Sequence, residues 1–279
     1  MVKPDNRVTK QKPRRSFRTV MDSLRQVWRI ERVPDHEAIW RSGQAETPSL
    51  RPDHLRISVW NLCKGAGGLM FEHDYRLLCY CSDIVIAQEA LLSRHAMGMF
   101  SANGFESVHA ASYKRRDGLR DGVMTVARAP SCEDPQRVIC KYPEPIFKTP
   151  KAALIKKYPL TGMNESLMVI NIHATLVRRK AAAIEEMEHL LERLPSHSGP
   201  MILAGDFNTF TQGYLRAIEG VLKQIGLSYV PIPNDPRPTT QALDQLFCRG
   251  LDVSNIRVDT SFRNSDHFPI LAELKVSTN

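Results

Sequence analysis

From Arg56 onward short apolar runs recur, separated by turns or by segments with helical spacing, which is the pattern of a mixed α/β domain. The runs predict strands over Arg56–Asn61, Ile84–Gln88, Glu106–Ala111, Gly122–Ala127, Arg137–Cys140, Ala152–Lys157, Leu167–His173, Met201–Asp206, Gln245–Cys248, Ile256–Ser261 and Pro269–Leu274. Helices are predicted over Tyr75–Cys81, Leu92–Phe100, Val177–Leu194 and Gly213–Ile225. In the third, Ile184, Met187, Leu190, Leu191 and Leu194 recur at helical spacing and Pro195 follows as a stop. Many strands are neighbours in sequence with short connections, so antiparallel pairing should dominate, in two packed sheets flanked by helices. Residues 1–54 differ: they are polar, basic and punctuated by proline. Within them Val20, Leu24, Val27 and Trp28 share one face of an expected helix over Phe17–Ile30. The expected organisation is an N-terminal extension over 1–54 and one catalytic domain over 55–279. Asn234-Asp235-Pro236-Arg237-Pro238 reads as a surface loop.

A chain of 279 residues with 42% hydrophobic positions can bury a substantial core. The net charge of +8 changes the picture only locally. Residues 1–32 hold ten Lys/Arg and three acids, so they carry +7, and the remaining 247 residues carry +1. A basic tail on a nearly neutral body fits either a salt-sensitive contact with a polyanion or a solubilising arm. The six cysteines lack the spacing of a zinc site and the density of a disulfide scaffold, so reduced thiols in a cytoplasmic protein are expected. Cys79-Tyr80-Cys81 reads as packing. No apolar stretch approaches the roughly 20 residues of a transmembrane helix. Arg14-Arg15 precedes no apolar core, so no export signal is read, and a monomer is expected.

The chemistry lies where apolar runs stop. Asn61, Glu89, His173, Asp206 with Asn208, Asp244, and Asp266-His267 each fall at the end of a predicted strand or beside one. Singly, each has a common structural explanation, such as a helix cap or a satisfied core histidine. Together they form an inventory of carboxylates, amides and imidazoles suited to a hard cation with acid/base groups beside it. Oxygen donors without thiolate favour Mg²⁺ or Mn²⁺ over zinc. Such a set suits attack on a phosphodiester, where a cation stabilises developing charge and a carboxylate orients or deprotonates water.

These residues fall in ordered blocks: Trp60-Asn61, Gln88-Glu89, Asn171-Ile172-His173, Gly205-Asp206-Phe207-Asn208, Leu243-Asp244 and Ser265-Asp266-His267. In them the chain resembles the endonuclease/exonuclease/phosphatase superfamily from about Arg56 to Lys275. That group includes pancreatic-type deoxyribonucleases, abasic-site endonucleases, inositol polyphosphate phosphatases and neutral sphingomyelinases. Gln88-Glu89-Ala90, Gly122-Val123-Met124-Thr125, His197-Ser198-Gly199-Pro200 and Arg249-Gly250-Leu251 are similar to the small bacterial YafD-like subgroup. The resemblance implies a four-layer α/β sandwich of deoxyribonuclease type, with its site at the mouth between the sheets. It implies Glu89 as principal metal ligand, Asn61 beside it, and Asp266 holding the metal or its waters. Asp206 would activate water, Asn208 contact the scissile phosphate, and His173 stabilise the transition state. His267 would bind or protonate the phosphoryl group, oriented by Asp244. Lys151 is read either as reaching a phosphate or as solvated, and Tyr113 either as a substrate contact or as surface packing.

The expected activity is Mg²⁺-dependent hydrolysis of a phosphodiester, on nucleic acid or a nucleotide. A phosphomonoesterase or phospholipid-type phosphodiesterase acting on a small or membrane-surface substrate is the second reading, because the body lacks excess positive charge. A binding protein that has kept the fold without turnover is the third.

Overall fold

The computed structural model describes residues 30–65, 68–101, 103–145, 147–238 and 242–277. The helix expected over Phe17–Ile30 lies outside them except at Ile30, which begins a strand. In chain order the elements are β1 (Ile30–Glu31), α1 (Asp35–Ala38), β2 (Ile39–Ser42), β3 (Leu55–Asn61), α2 (Gly68–Cys81), β4 (Ile84–Leu92), α3 (Arg94–Phe100), β5 (Glu106–Arg115) and β6 (Arg120–Ala127). They continue with β7 (Gln136–Pro143), β8 (Pro150–Pro159), β9 (Ser166–His173), α4 (Lys180–Leu191), β10 (Met201–Asp206), α5 (Gln212–Leu222), β11 (Ser228–Tyr229), β12 (Asp244–Arg249), β13 (Leu251–Val258) and β14 (Ile270–Val276).

The strands form an eight-stranded sheet, ordered β1-β5-β6-β4-β3-β14-β13 with β2 also on β5, and a six-stranded sheet, ordered β11-β12-β10-β9-β8-β7. Pairing is antiparallel except for β3 with β4 and β9 with β10. Alternation of side chains along each strand builds the four layers. Ile57, Val59, Ile86, Val169, Ile202 and Leu246 fill the space between the sheets. Their neighbours in sequence point outward: Ile170, Leu203 and Phe247 pack under α4 and α5, through Met187, Leu190, Leu215 and Ile218. On the other side Trp60, Val85 and Ala87 meet Phe71, Tyr75 and Leu78 of α2 and Phe100 of α3. Burial on both faces explains why these strands read as continuous apolar runs. The expected sandwich is therefore the fold.

The boundaries differ where polarity hides an element. Helix α2 starts at Gly68, seven residues before Tyr75, because Leu69 and Met70 are exposed and blur its apolar face. Strand β13 starts at Leu251, since Asp252, Ser254 and Asn255 on its exposed side mask the alternation, and it ends at Val258 short of Ser261. Strand β4 does not stop at Gln88. It continues to Leu92 through a register shift between Ala87 and Ala90, so Leu92 is strand and Ser93 caps α3 by accepting the Ala96 amide at 3.0 Å. Ile30–Ser42, ahead of residue 55, is built into the large sheet: β1 and β2 both pair antiparallel along β5. The Asn234–Pro238 loop is folded inward at Arg237, which is buried.

Deep between the sheets a polar bridge ties them together. Gln88 Nε2 donates to Asn171 Oδ1 at 2.8 Å, while Asn171 Nδ2 donates to the carbonyls of Met124 (2.8 Å) and Ala87 (3.0 Å). A buried amide satisfied this way fixes the relative position of the two sheets, because sliding either one would strand buried polar groups.

Candidate active site

The two parallel pairs end on the same side of the sandwich, and ligand sites in α/β sheets favour the carboxyl ends of strands. Asn61 ends β3, His173 ends β9 and Asp206 ends β10. Asp206 lies in register with His173 on one side and with Asp244, the first residue of β12, on the other. Three groups from distant parts of the chain are thereby set at one level by strand pairing alone.

Asp206 is the centre. Its Oδ1 accepts the Asn208 amide at 2.9 Å, and its Oδ2 accepts Asn61 Nδ2 at 3.1 Å with His173 Nε2 3.5 Å away. The Asn61 amide is itself oriented, since its Oδ1 accepts the Cys63 N–H at 3.0 Å. Asn208 has a left-handed backbone (φ 51°), and its Nδ2 donates to the Ala174 carbonyl at 2.8 Å. Burial and the Asp244 charge push the Asp206 carboxyl up to about 6. His173 is held well below its ordinary value, chiefly by burial and then by the Lys151 charge, so it is neutral at pH 7.

Asp244 and His267 form the second unit. His267 Nδ1 lies 2.8 Å from Asp244 Oδ2, and Arg237 Nη1 stands 3.5 Å from the same oxygen, held from behind by Asp235. Burial works against the imidazolium. The hydrogen bond to Asp244 and the charges of Asp244, Asp206 and Asp266 outweigh it, and the His267 value is pushed up to about 9. The loop bearing His267 is pinned to the end of β3 by Trp60 Nε1 donating to the His267 carbonyl (2.8 Å) and Ser265 Oγ donating to the Asn61 carbonyl (2.7 Å). Asp266 is exposed next to that anchor.

Glu89 is presented differently from the strand end expected for it. It sits inside β4 at the register shift with a left-handed backbone (φ 49°), the kind of bulge that re-aims a side chain. Lys64 Nζ lies 2.9 Å from its Oε2 and Lys151 Nζ 3.7 Å from its Oε1. Lys151 is buried and paired with Glu144 at 2.9 Å, which overturns the solvated reading. Tyr113 is also buried, not surface packing: its hydroxyl donates to Asp121 Oδ2 at 2.9 Å, with Lys64 Nζ 3.9 Å from the same oxygen. Burial raises Asp121 to about 6 against the pull of Lys64. The structure thus joins Asn61, His173, Asp206 and Asn208 by direct contacts and joins Asp244 with His267. Glu89, Lys151 and Tyr113 belong to an adjoining network with Lys64, Asp121 and Glu144, and those last three carry no sequence signal beyond being charged.

Asp206, Asp244 and His267 offer ligand atoms within 4.8 Å of one another and could hold a metal ion. Asp244 Oδ1 is buried without a hydrogen-bond partner. Such an orphaned acceptor is costly unless a cation or ligand completes it. No helix among the described residues is long and apolar enough to cross a membrane.

Two packed sheets, a mouth lined by acids, amides and histidines, and the inter-sheet bridge below define the deoxyribonuclease-type class of α/β sandwich. The chain belongs to the Endonuclease/Exonuclease/phosphatase family, whose model matches residues 43–267. That family typically hydrolyses phosphoester bonds and is generally dependent on a divalent metal. Among similar sequences, a UPF0294 protein of Klebsiella pneumoniae is 31% identical, covering 82% of this chain and 85% of its own. A UPF0294 protein of Vibrio vulnificus is 28% identical over 81% and 78%. These relatives are the YafD-like proteins. Among solved structures, an endonuclease/exonuclease/phosphatase from Beutenbergia cavernae superposes with a TM-score of 0.64 at 17% identity, covering 81% of this chain and 72% of that one. The human Nocturnin catalytic domain with bound sulfate anion superposes at 0.57 and 16% identity, over 88% and 100%.

Proposed function

We propose that the protein is a Mg²⁺- or Mn²⁺-dependent phosphodiesterase that cleaves nucleic acid or a nucleotide-like substrate by in-line attack of water. The observation that carries this reading is Asp206, a buried carboxylate whose value is raised toward the range of a general base, with a cationic His267 close by and a neutral His173 beside it. Asp206 Oδ2 would orient the attacking water and take its proton. His267, held as imidazolium by Asp244, would bind or protonate a phosphoryl oxygen, and His173 and Asn208 would contact the phosphoryl group from the other side. Oxygen donors fit a hard cation, and Glu89 is already a cation-binding carboxylate, so we assign the metal to Glu89 with Asn61 and Asp266. The His267 imidazolium in the alternative trio is unsuited to ligation while protonated. Bound there, the divalent ion would neutralise charge on non-bridging and leaving oxygens. The unpaired cysteines support action in the cytoplasm, and a monomer suffices because every proposed group comes from one chain.

The run Arg178-Arg179-Lys180, exposed just beyond His173, supports a polyanionic substrate. The charge of only +1 outside residues 1–32 favours the second reading, a phosphomonoester or phospholipid head group. A panel of DNA, RNA, bis-p-nitrophenyl phosphate, p-nitrophenyl phosphate and phospholipid, assayed with Mg²⁺ and with EDTA, tests both. Diester hydrolysis abolished by EDTA and falling steeply with salt is expected. Turnover in EDTA would defeat the metal-dependent reading, and salt-independent hydrolysis of monoester or lipid alone would favour the second.

The His267 pair sets a pH limit. The imidazolium is present below about 9, so kcat/KM should hold across neutral pH and decline as pH rises through about 9. The stability it contributes follows the same sign, fully present below the unfolded value near 6.5 and lost as pH rises through about 9. A pH–rate profile from 7 to 10.5 measures this, and an unchanged alkaline limb in His267→Gln would remove His267 from the role.

A further inference from the structure

We infer that Lys64 is an internal counter-cation that holds Glu89 until a divalent ion arrives and competes with that ion for the same carboxylate, an inference resting on Glu89 as metal ligand. Two lysines flank Glu89, and they are not equivalent. Lys151 is buried and committed to Glu144 at 2.9 Å, against 3.7 Å to Glu89, so it is a fixed neighbour. Lys64 makes the closer contact, 2.9 Å to Glu89 Oε2, and its side chain is one-third exposed. It also lines a cavity of ≈ 110 Å³ whose wall includes the Glu72 carboxylate, so the ammonium has open space with an acid on its rim beside it. A second acceptor waits: Asp121 Oδ2, held by the Tyr113 hydroxyl, is 3.9 Å from Lys64 Nζ.

The backbone supports a role for this contact beyond chance pairing. Cys63 (φ 45°), Lys64 (φ 59°) and Gly65 (φ 72°) are successively left-handed, and Glu89 (φ 49°) is left-handed on the other side of the same ion pair. Non-glycine residues adopt that conformation only where the surroundings hold them there, and they cluster at functional sites. Both partners of one salt bridge are therefore presented by backbone that neither would choose in isolation.

Charge decides the consequence. When all are ionised, Lys64 and Lys151 face Glu89, Glu144 and Asp121, leaving one net negative charge. Removing the Lys64 ammonium doubles that surplus and frees Glu89 Oε2, so a divalent cation should bind more tightly. Lys64 thereby lowers affinity for stray cations while keeping Glu89 aimed in their absence.

Calorimetric titration of the full chain with Mn²⁺ alone, beside thermal melts in EDTA, tests this on wild type, Lys64→Met, Lys64→Gln and Lys64→Arg. Lys64→Met and Lys64→Gln should bind Mn²⁺ about 10-fold more tightly. Their metal-free Tm should fall and then rise more on adding Mn²⁺ than that of wild type. Lys64→Arg, which keeps the charge, should restore wild-type values. Unchanged or weaker Mn²⁺ affinity in the neutral variants would overturn the inference and leave the metal reading standing. No Mn²⁺ uptake by wild type or any variant would overturn both. Should Lys64→Met fail to fold, Lys64→Gln alone decides.

Discussion

Replacing Asp206 with asparagine is expected to lower kcat/KM by about 10³-fold or more, equivalent to about 4 kcal/mol of transition-state stabilisation, while Tm moves by only a few degrees. The amide is nearly isosteric, and its oxygen can still accept the Asn208 N–H. It cannot take a proton from water. Its NH₂ would also face Asn61 Nδ2, and Asn61 cannot turn to accept because its Oδ1 is held by the Cys63 N–H. That mismatch destabilises, but removing a buried carboxylate beside Asp244 relieves an opposing cost, the same one that raises Asp206. Activity and stability should therefore part company. Kinetics on the substrate found in the panel, paired with a melt of the same preparation, measure both. Retention of a tenth of wild-type activity would remove Asp206 from the role of base.

Gly205→Ala should do the reverse, damaging the fold first. Gly205 has φ 143°, and a Cβ there would stand 1.9 Å from the Ile172 carbonyl oxygen, 2.9 Å from its carbon and 3.0 Å from Gln88 Nε2. The first two are backbone atoms of β9, the parallel neighbour in register with Gly205, so the only relief is to push β9 and β10 apart. A loss of about 4 kcal/mol or more follows, a large share of a typical domain's stability. Urea unfolding, or failure to obtain soluble protein, reports it; a loss below about 1 kcal/mol would show that the strands yield more easily than packed backbone should.

Much of this molecule was legible before folding was considered. Strands such as Leu167–His173 and Met201–Asp206 are buried on both faces, so their apolar runs stand out and the polar residue ending each run marks the mouth. Glu89 is singled out in sequence for a partly mistaken reason: the apolar run breaks at Gln88-Glu89, but the strand does not, because a bulge turns the acid out while pairing resumes at Ala90. Lys151 stands out in sequence but its burial does not, and Lys64 does not stand out at all. A lysine in sequence carries no mark of burial, and each finds its partners across sheet pairings that no local pattern encodes. Arg237 was hidden by its Pro- and Asn-rich surroundings, which specify a turn without saying which way its arginine points. Short elements such as Ile30–Glu31 and Ser228–Tyr229 fall below the length at which periodicity can be counted.

The placement of β1 and β2 along β5 has a consequence for how the chain can be shortened. Those few residues satisfy the outward row of β5 amides and carbonyls, which would otherwise stand bare at the border of the large sheet. An open row of that kind is a template on which a second molecule can add its own strand. A version trimmed to begin at residue 55 would keep every proposed catalytic group yet bare that border and lose the buried Val33, Ala38 and Leu50, so self-association and stability, rather than chemistry, are what such a trim should change.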